Sequence, residues 1–310
     1  MRIAVLGAGG FIGRALCARL AGAGHEVLGL VRRPAQGLQV PTRVDAFTDP
    51  AVFRDVLAGC DWLLHAAAAS TPGSTLGQPR AEIDANLAVS LALIEAMQSV
   101  AGCGLLYLSS GGTVYGDCGA APVTEQQALR PRSYHGAAKA AVELFLSAYA
   151  GQYGGAVVVL RPSNVYGPGQ DRRGGFGIVP TAMAAALAGE PVTLWGDGST
   201  VRDYLYIDDL LDLVQAVVGA GAFPGFAVYN AASGQAVSLV DLLDVVDAVT
   251  DRPLRRDFLP GRRVDVQAIA PSPAAAAATF GWHAATSLEQ GLRATWAWWQ
   301  DDAQPACGPA

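Results

Sequence analysis

Charge is scarce in this chain of 310 residues: Asp, Glu, Lys and Arg together make up 15% of it. What charge there is leans acidic, with 21 Lys+Arg against 27 Asp+Glu, a net of −6 and a pI near 5.2. Without a basic excess there is no electrostatic footprint for nucleic acid or an anionic membrane, and neither is expected as a partner. No uninterrupted apolar run approaches the ~18 residues that a membrane span requires. Cysteine is sparse too. Cys17, Cys60, Cys103, Cys118 and Cys307 are scattered, odd in number and free of any Cys-x-x-Cys spacing. That suits buried thiols in a reducing cytoplasm better than a disulfide framework or a zinc site. His25, His65, His135 and His283 show no metal-ligand spacing, and there is no Gly-x-Ser-x-Gly nucleophile elbow. An apolar content of 51% excludes a disordered chain, and the length allows one large or two modest domains with a full core.

What is present is alternation. Arg2 before an apolar stretch imitates a signal peptide, but four glycines in the first 13 residues interrupt the apolar core such a signal needs. Arg2–Leu6 reads instead as a buried strand, followed by a glycine turn, a helix from Phe11 to about Ala23 and a second strand at Glu26–Val31. Further strands are expected at Asp61–Ala67, Gly104–Ser109 and Ala156–Arg161, with helices at Val52–Leu57, Ala81–Val100 and Gly136–Tyr153 between them. Such alternation means βαβ units and an α/β fold with a parallel sheet covered on both faces. After Arg161 the rhythm changes. A loop-rich stretch containing Gly-Pro-Gly-Gln and Arg-Arg-Gly-Gly surrounds a helix near Val179–Leu187. A strand at Ala227–Asn230, a helix at Leu239–Val249 and a Pro/Arg-rich stretch follow. The expected organisation is a dinucleotide-binding domain over 1–165 and about 205–225, and a smaller lobe from about 166–204 and 226–300. Ala274–Ala278 is expected on a surface helix, and 301–310 as a frayed tail.

Gly7-x-x-Gly10-x-x-Gly13, between a strand and a helix, carries the first chemistry. Glycine permits positive φ, a missing Cβ lets backbone approach a diphosphate, and the helix N-terminus offers unpaired N–H groups with partial positive charge. The loop lacks the lysine of a Walker motif, which points to a dinucleotide rather than a nucleoside triphosphate. At the end of the second strand a carboxylate would hold a ribose 2′-hydroxyl, whereas arginine would hold a 2′-phosphate. Arg32 and Arg33 stand there, which favours NADP(H) over NAD(H). A solvated basic turn is the other reading.

Several further segments appear in order: His65-Ala66-Ala67-Ala68, Asn86, Ser109–Gly116 (SSGGTVYG), Lys139, Arg161–Gly169 (RPSNVYGPG), Gly196–Asp209 (GDGSTVRDYLYIDD) and Gly261–Val266 (GRRVDV). With the glycine loop they make the chain resemble the extended short-chain dehydrogenases/reductases, in particular the nucleotide-sugar epimerases and dehydratases. The resemblance implies a Rossmann-type doubly wound parallel sheet with a smaller C-terminal substrate-binding lobe. It also implies hydride exchange at C4 of a nucleotide-activated hexose, and a homodimer formed through a helix pair that includes Ala81–Val100 and Gly136–Tyr153. Cofactor contacts are implied at Gly7, Gly10, Phe11, Ile12, Gly13, Arg32, Arg33, Ala66, Ala67, Asn86, Ser109, Lys139 and Pro162. Substrate contacts are implied at Asn164, Val179, Arg202, Tyr204 and Arg262. A diphosphate suits the guanidinium forks of Arg202 and Arg262, although pairing with Asp203 and Asp265 is an alternative use for both.

At the catalytic positions the chain departs from the family. The family's proton-handling tyrosine lies four residues before its lysine, yet His135 occupies that place and Tyr134 stands one residue too early. Five residues of helix turn through ~500°, leaving Tyr134 about 140° from Lys139 rather than about 40°. Tyr134 serves only if the helix starts later or carries a bulge. Gly111 stands where the family has serine or threonine, leaving Ser110 and Thr113 as the nearest hydroxyls. An imidazole titrates near 6.5 and a neighbouring ammonium keeps it neutral, so His135 is chemically able to act as the acid/base. A vestigial histidine is the alternative. The activities in view are a 4-epimerase, an NADPH-dependent 4-ketosugar reductase, and a cofactor-binding protein that has lost catalysis and acts as a sensor or partner subunit.

Overall fold

The computed structural model describes residues 1–119, 121–171, 177–221, 225–262 and 264–302. The Arg-Arg-Gly-Gly segment, Cys307 and the tail beyond 302 lie outside the described residues.

Seven parallel strands form the central sheet, in the order Gly225–Ala231, Ala156–Pro162, Gly104–Leu108, Trp62–His65, Arg2–Leu6, Glu26–Val31 and Thr42–Val44. The middle strands are buried along nearly their whole length, as expected for a sheet covered on both faces. One face packs Leu16 and Leu20 of the helix Phe11–Gly22 with Leu210, Leu213 and Val217 of the helix Ile207–Gly219. The other packs Phe53, Leu93, Met97, Val142 and Leu146 from the helices Pro50–Leu57, Ala88–Met97 and Tyr134–Tyr153. Strand order reverses between Arg2–Leu6 and Trp62–His65. In such sheets, ligands bind outside the carboxyl ends of the strands at that reversal.

The smaller lobe has its own core, in which Tyr166, Val179, Met183, Leu194, Leu242, Val246, Leu292 and Trp296 pack together. Two expectations are corrected. The strand expected in the smaller lobe at Ala227–Asn230 is the edge of the large sheet, running Gly225–Ala231 beside Ala156–Pro162. Its short apolar run matches either lobe, and only its pairing partner decides. The helix expected over Ala81–Val100 is broken into Pro79–Glu82, a wide π turn at Ile83–Leu87 and Ala88–Met97. Such turns recur at functional sites, and this one contains Asn86.

Candidate active site

The phosphate loop is built as its glycines require. Gly7 has φ +90, and a Cβ there would lie 2.6 Å from the amide nitrogen of Ala67. A Cβ on Gly13 would collide with the Gly7 carbonyl. The loop therefore sits directly on Ala66 and Ala67, where Ala66 N–H bonds the Leu6 carbonyl at 2.9 Å. Gly10 is the N-cap of the helix Phe11–Gly22 and provides no side-chain cap. The first-turn amides of Phe11, Ile12 and Gly13 are thus left for a ligand, a fit for the diphosphate of a dinucleotide. Arg14, which the sequence did not single out, fastens the loop by donating to the carbonyls of Gly9 at 3.0 Å and Gln36 at 2.7 Å. Arg32 and Arg33 are exposed at the end of the second strand.

The helix Tyr134–Tyr153 starts at Tyr134, where the Ser133 hydroxyl caps it by accepting the Gly136 N–H at 3.1 Å. That start places His135 and Lys139 on the buried face, 8% and 7% exposed, and Tyr134 outside at 44%. The helix neither begins later nor bulges, so Tyr134 does not share their face. Lys139 is the only lysine in the chain. Its Nζ donates to the Leu108 carbonyl at 2.8 Å and lies 4.9 Å over the Tyr107 ring, and burial draws its pKa down to about 8. His135 Nδ1 lies 2.9 Å from Ser70 Oγ. Burial first, and the Lys139 charge second, lower its pKa to about 4, so the ring is neutral at pH 7.

SSGGTVYG packs against the same helix start, where a Cβ on Gly136 would lie 2.7 Å from the Thr113 carbonyl. Thr113 Oγ1 is buried with no partner among the described residues. Ser110 contributes its carbonyl, which accepts the N–H groups of Thr113 and Val114 at 3.3 and 3.2 Å. Gly111 donates to the Pro162 carbonyl at 2.7 Å, and a Cβ there would lie 2.8 Å from the Arg161 carbonyl. A serine side chain therefore has no room at 111 on this backbone. The Ser109 hydroxyl donates to Glu143, the buried partner of Arg161 at 2.6 Å, which leaves the backbone of Ser109 for the cofactor contact expected there.

Asn86, expected as a cofactor contact, accepts the Ala69 N–H at 2.8 Å. Behind it lies a cluster the sequence did not reveal. Glu82 accepts from Thr75 at 2.6 Å, Ser70 at 2.9 Å and Asn86 at 2.6 Å. Burial acts to raise the Glu82 carboxyl, but these three bonds and the facing His135 outweigh it and hold it below its ordinary value. Only the four-residue spacing of Glu82 and Asn86 hinted at this; Ser70 and His135 are too far apart in sequence for any periodicity to link them.

On the smaller lobe, Asn164 Nδ2 donates to the Asp203 carbonyl at 2.9 Å, and the same side chain lies beside Gly112. Arg202 does not pair with Asp203; it donates to the carbonyls of Val201 at 2.8 Å and of Val266. Asp203 is satisfied instead by Ser163, by Ser233 at 2.7 Å and by the Gln235 N–H at 3.1 Å. Arg262 does pair with Asp265, through two bonds of 2.9 Å, above the Trp195 ring and facing Gly73 of the large domain. Val179 and Tyr204, expected as substrate contacts, are 2% and 7% exposed and pack into the core of the smaller lobe. Among the described residues no group of His, Cys, Asp and Glu is placed to hold a metal, and no helix is long and apolar enough to cross a membrane.

The model of the NAD dependent epimerase/dehydratase family matches residues 3–232. The UDP-glucose 4-epimerase of Mycolicibacterium smegmatis is 31% identical over 308 residues, covering 95% of this chain and 97% of that one. The dTDP-4-dehydro-6-deoxy-D-allose reductase of Streptomyces bikiniensis is 29% identical over 281 residues, covering 84% of this chain and 85% of that one. Among solved structures, the UDP-glucose 4-epimerase of Thermus thermophilus in complex with NAD aligns with TM-score 0.88 and 30% identity, covering 97% of this chain and 99% of that one.

Proposed function

The chain belongs to the NAD-dependent epimerase/dehydratase family, and from that membership we propose that it is a 4-epimerase acting at C4 of a nucleotide-activated hexose. The observation that carries this reading is His135, a neutral imidazole one turn before Lys139. Its Nδ1 is held by Ser70, which leaves Nε2 as the nitrogen available to a substrate.

Nicotinamide dinucleotide, when bound, supplies the acceptor and donor for hydride at C4. Gly7, Gly10 and Gly13, with the amides at Phe11 and Ile12, hold its diphosphate. Ala66, Ala67, Asn86 and the backbone at Ser109 and Pro162 wall the site, and Lys139 holds the nicotinamide ribose. His135 Nε2 takes the proton of the C4 hydroxyl during oxidation and returns it during reduction, a contribution of about 10²–10⁴-fold. Thr113 Oγ1, buried and unpartnered, bonds the reacting oxygen. Arg202, Arg262 and Asn164 receive the diphosphate of the sugar nucleotide, Arg262 exchanging Asp265 for phosphate.

A second reading, an NADPH-dependent 4-ketosugar reductase, is favoured by Arg32 and Arg33, which are exposed at the end of the second strand. Purified protein incubated with UDP-glucose and UDP-galactose separates the two. Interconversion without added nucleotide supports the epimerase; activity only on a 4-keto-sugar with stoichiometric NADPH supports the reductase. No turnover on UDP- or dTDP-hexoses or their 4-keto forms, with or without NAD(P)H, overturns both in favour of a non-catalytic cofactor-binding protein.

A further inference from the structure

Putting an imidazole where the family has a phenol raises a problem that tyrosine never meets. A phenol handles protons through one oxygen, whereas a neutral imidazole has two nitrogens, and only the one without hydrogen accepts a proton. If Nδ1 is committed to Ser70, the ring works as a base only when Nδ1 carries the hydrogen and Nε2 the lone pair.

The polar groups behind His135 settle which tautomer is present. Ser70 Oγ has three partners: Asn86 Nδ2 at 2.7 Å, Glu82 Oε2 at 2.9 Å and His135 Nδ1 at 2.9 Å. A hydroxyl has one hydrogen to give and two lone pairs to receive. The Asn86 amide is oriented by its other end, where Oδ1 accepts the Ala69 N–H at 2.8 Å, so Nδ2 faces Ser70 as a donor and fills one lone pair. Glu82, only 3% exposed and held ionised by its donors, is an acceptor only and takes the Ser70 hydrogen. One lone pair of Ser70 remains for His135, and it requires a hydrogen on Nδ1.

We propose that Ser70 and Glu82 are positioning residues, which lock His135 in the Nδ1–H tautomer and so aim the Nε2 lone pair at the substrate hydroxyl. This rests on the reading of His135 as the acid/base. When a substrate O–H gives its proton to Nε2, the ring becomes an imidazolium whose Nδ1–H points down a hydrogen-bonded path to the Glu82 carboxylate; the reverse transfer restores the neutral ring. The logic is that of a carboxylate orienting a catalytic histidine, with one hydroxyl inserted between them. Two charged groups face the ring: Glu82 from the helix Pro79–Glu82, favouring the imidazolium, and Lys139 from its own helix, opposing it.

The test is a long-range ¹H–¹⁵N correlation spectrum of the uniformly ¹⁵N-labelled full chain at pH 7.5, with His135 assigned by the signals lost in His135→Gln. The expected result is a neutral His135 protonated at Nδ1; protonation at Nε2 overturns the proposal. Ser70→Ala should mix the tautomers and lower kcat by about ten- to hundredfold with KM little changed. An unchanged tautomer together with an unchanged kcat in that variant also overturns it. Glu82→Gln keeps an acceptor for Ser70 but removes the charge that favours the imidazolium. The acidic limb of its kcat profile should therefore move to lower pH, and an unmoved limb counts against a role for Glu82. If His135→Gln leaves turnover intact while the spectrum shows Nδ1–H, the acid/base reading fails and the tautomer lock stands.

Discussion

His135 and Lys139 lie one helical turn apart on the buried face of the helix Tyr134–Tyr153, and the lysine charge adds to burial in keeping the imidazole neutral. This has a consequence for stability. His135 is depressed from 6.5 to about 4 and His65, buried against Tyr107, to about 3. The unfolded chain therefore binds protons below pH 6.5 that the folded chain refuses. Their contribution is whole above pH 6.5 and is lost as pH falls from 6.5 toward 4 for His135 and toward 3 for His65. Between pH 7.5 and 5 each histidine accounts for about 2 kcal/mol of lost stability. Urea midpoints measured at the two pH values should show the loss, and His135→Gln should reduce it by about half.

Gly111 and Gly112 are neighbours with opposite tolerance for a side chain. A Cβ at 111 would meet the Arg161 carbonyl at 2.8 Å and Pro271 Cγ at 3.2 Å, whereas at 112 the nearest atom is Asn164 Oδ1 at 3.8 Å. Gly111→Ser should destabilise by about 1–3 kcal/mol through overpacking, while Gly112→Ser should leave the melting temperature within a degree or two of wild type. Thermal melts of the two variants side by side check this; equal melting temperatures would mean that the loop shifts freely.

Arg32 and Arg33 report on cofactor choice. If they hold a 2′-phosphate, replacing both with alanine weakens NADP⁺ by about ten- to hundredfold, the worth of one or two charge-assisted bonds, and leaves NAD⁺ unaffected. Equilibrium titration of both nucleotides measures the ratio. A uniform change would identify the pair as a solvated basic turn.

Leu144 and Phe145 are 68% and 47% exposed, on a face of the helix Tyr134–Tyr153 that also presents Ala137, Ala141 and Ala148 and no charge. The helix Ala88–Met97 packs beside it. With homodimerisation proposed through this pair, Leu144→Arg should weaken self-association at least about tenfold, since burying one leucine is worth about 1.5–3 kcal/mol. Sedimentation equilibrium of wild type and variant decides, and a wild-type monomer at high concentration would end the proposal.

Much of the site was legible because its signals are local. Gly7, Gly10 and Gly13 mark a turn between an apolar strand run and a helical period, and the four residues from His135 to Lys139 set one helix face. Tyr134 stands one residue too early on that same periodicity, and a helix that starts at Tyr134 leaves it outside the face shared by His135 and Lys139. Val179 and Tyr204 pack into the core of the smaller lobe, because motif position says where a residue falls in the chain and not which way it faces. The edge strand Gly225–Ala231 was put in the wrong lobe for the same reason.

By itself, then, the sequence determined the α/β alternation, the glycine turn between the first strand and helix and the placing of His135 one turn before Lys139, since each depends on residues within a few turns of one another. Tertiary structure alone decided that Gly111 has no room for a side chain and that Arg262 pairs with Asp265 while Arg202 bonds backbone carbonyls. It alone joined Ser70, Glu82 and Asn86 behind the His135 ring. Those relations depend on single protons, lone pairs and tenths of an ångström between distant segments. Hydrophobic periodicity, which encodes only what is buried, carries no record of them.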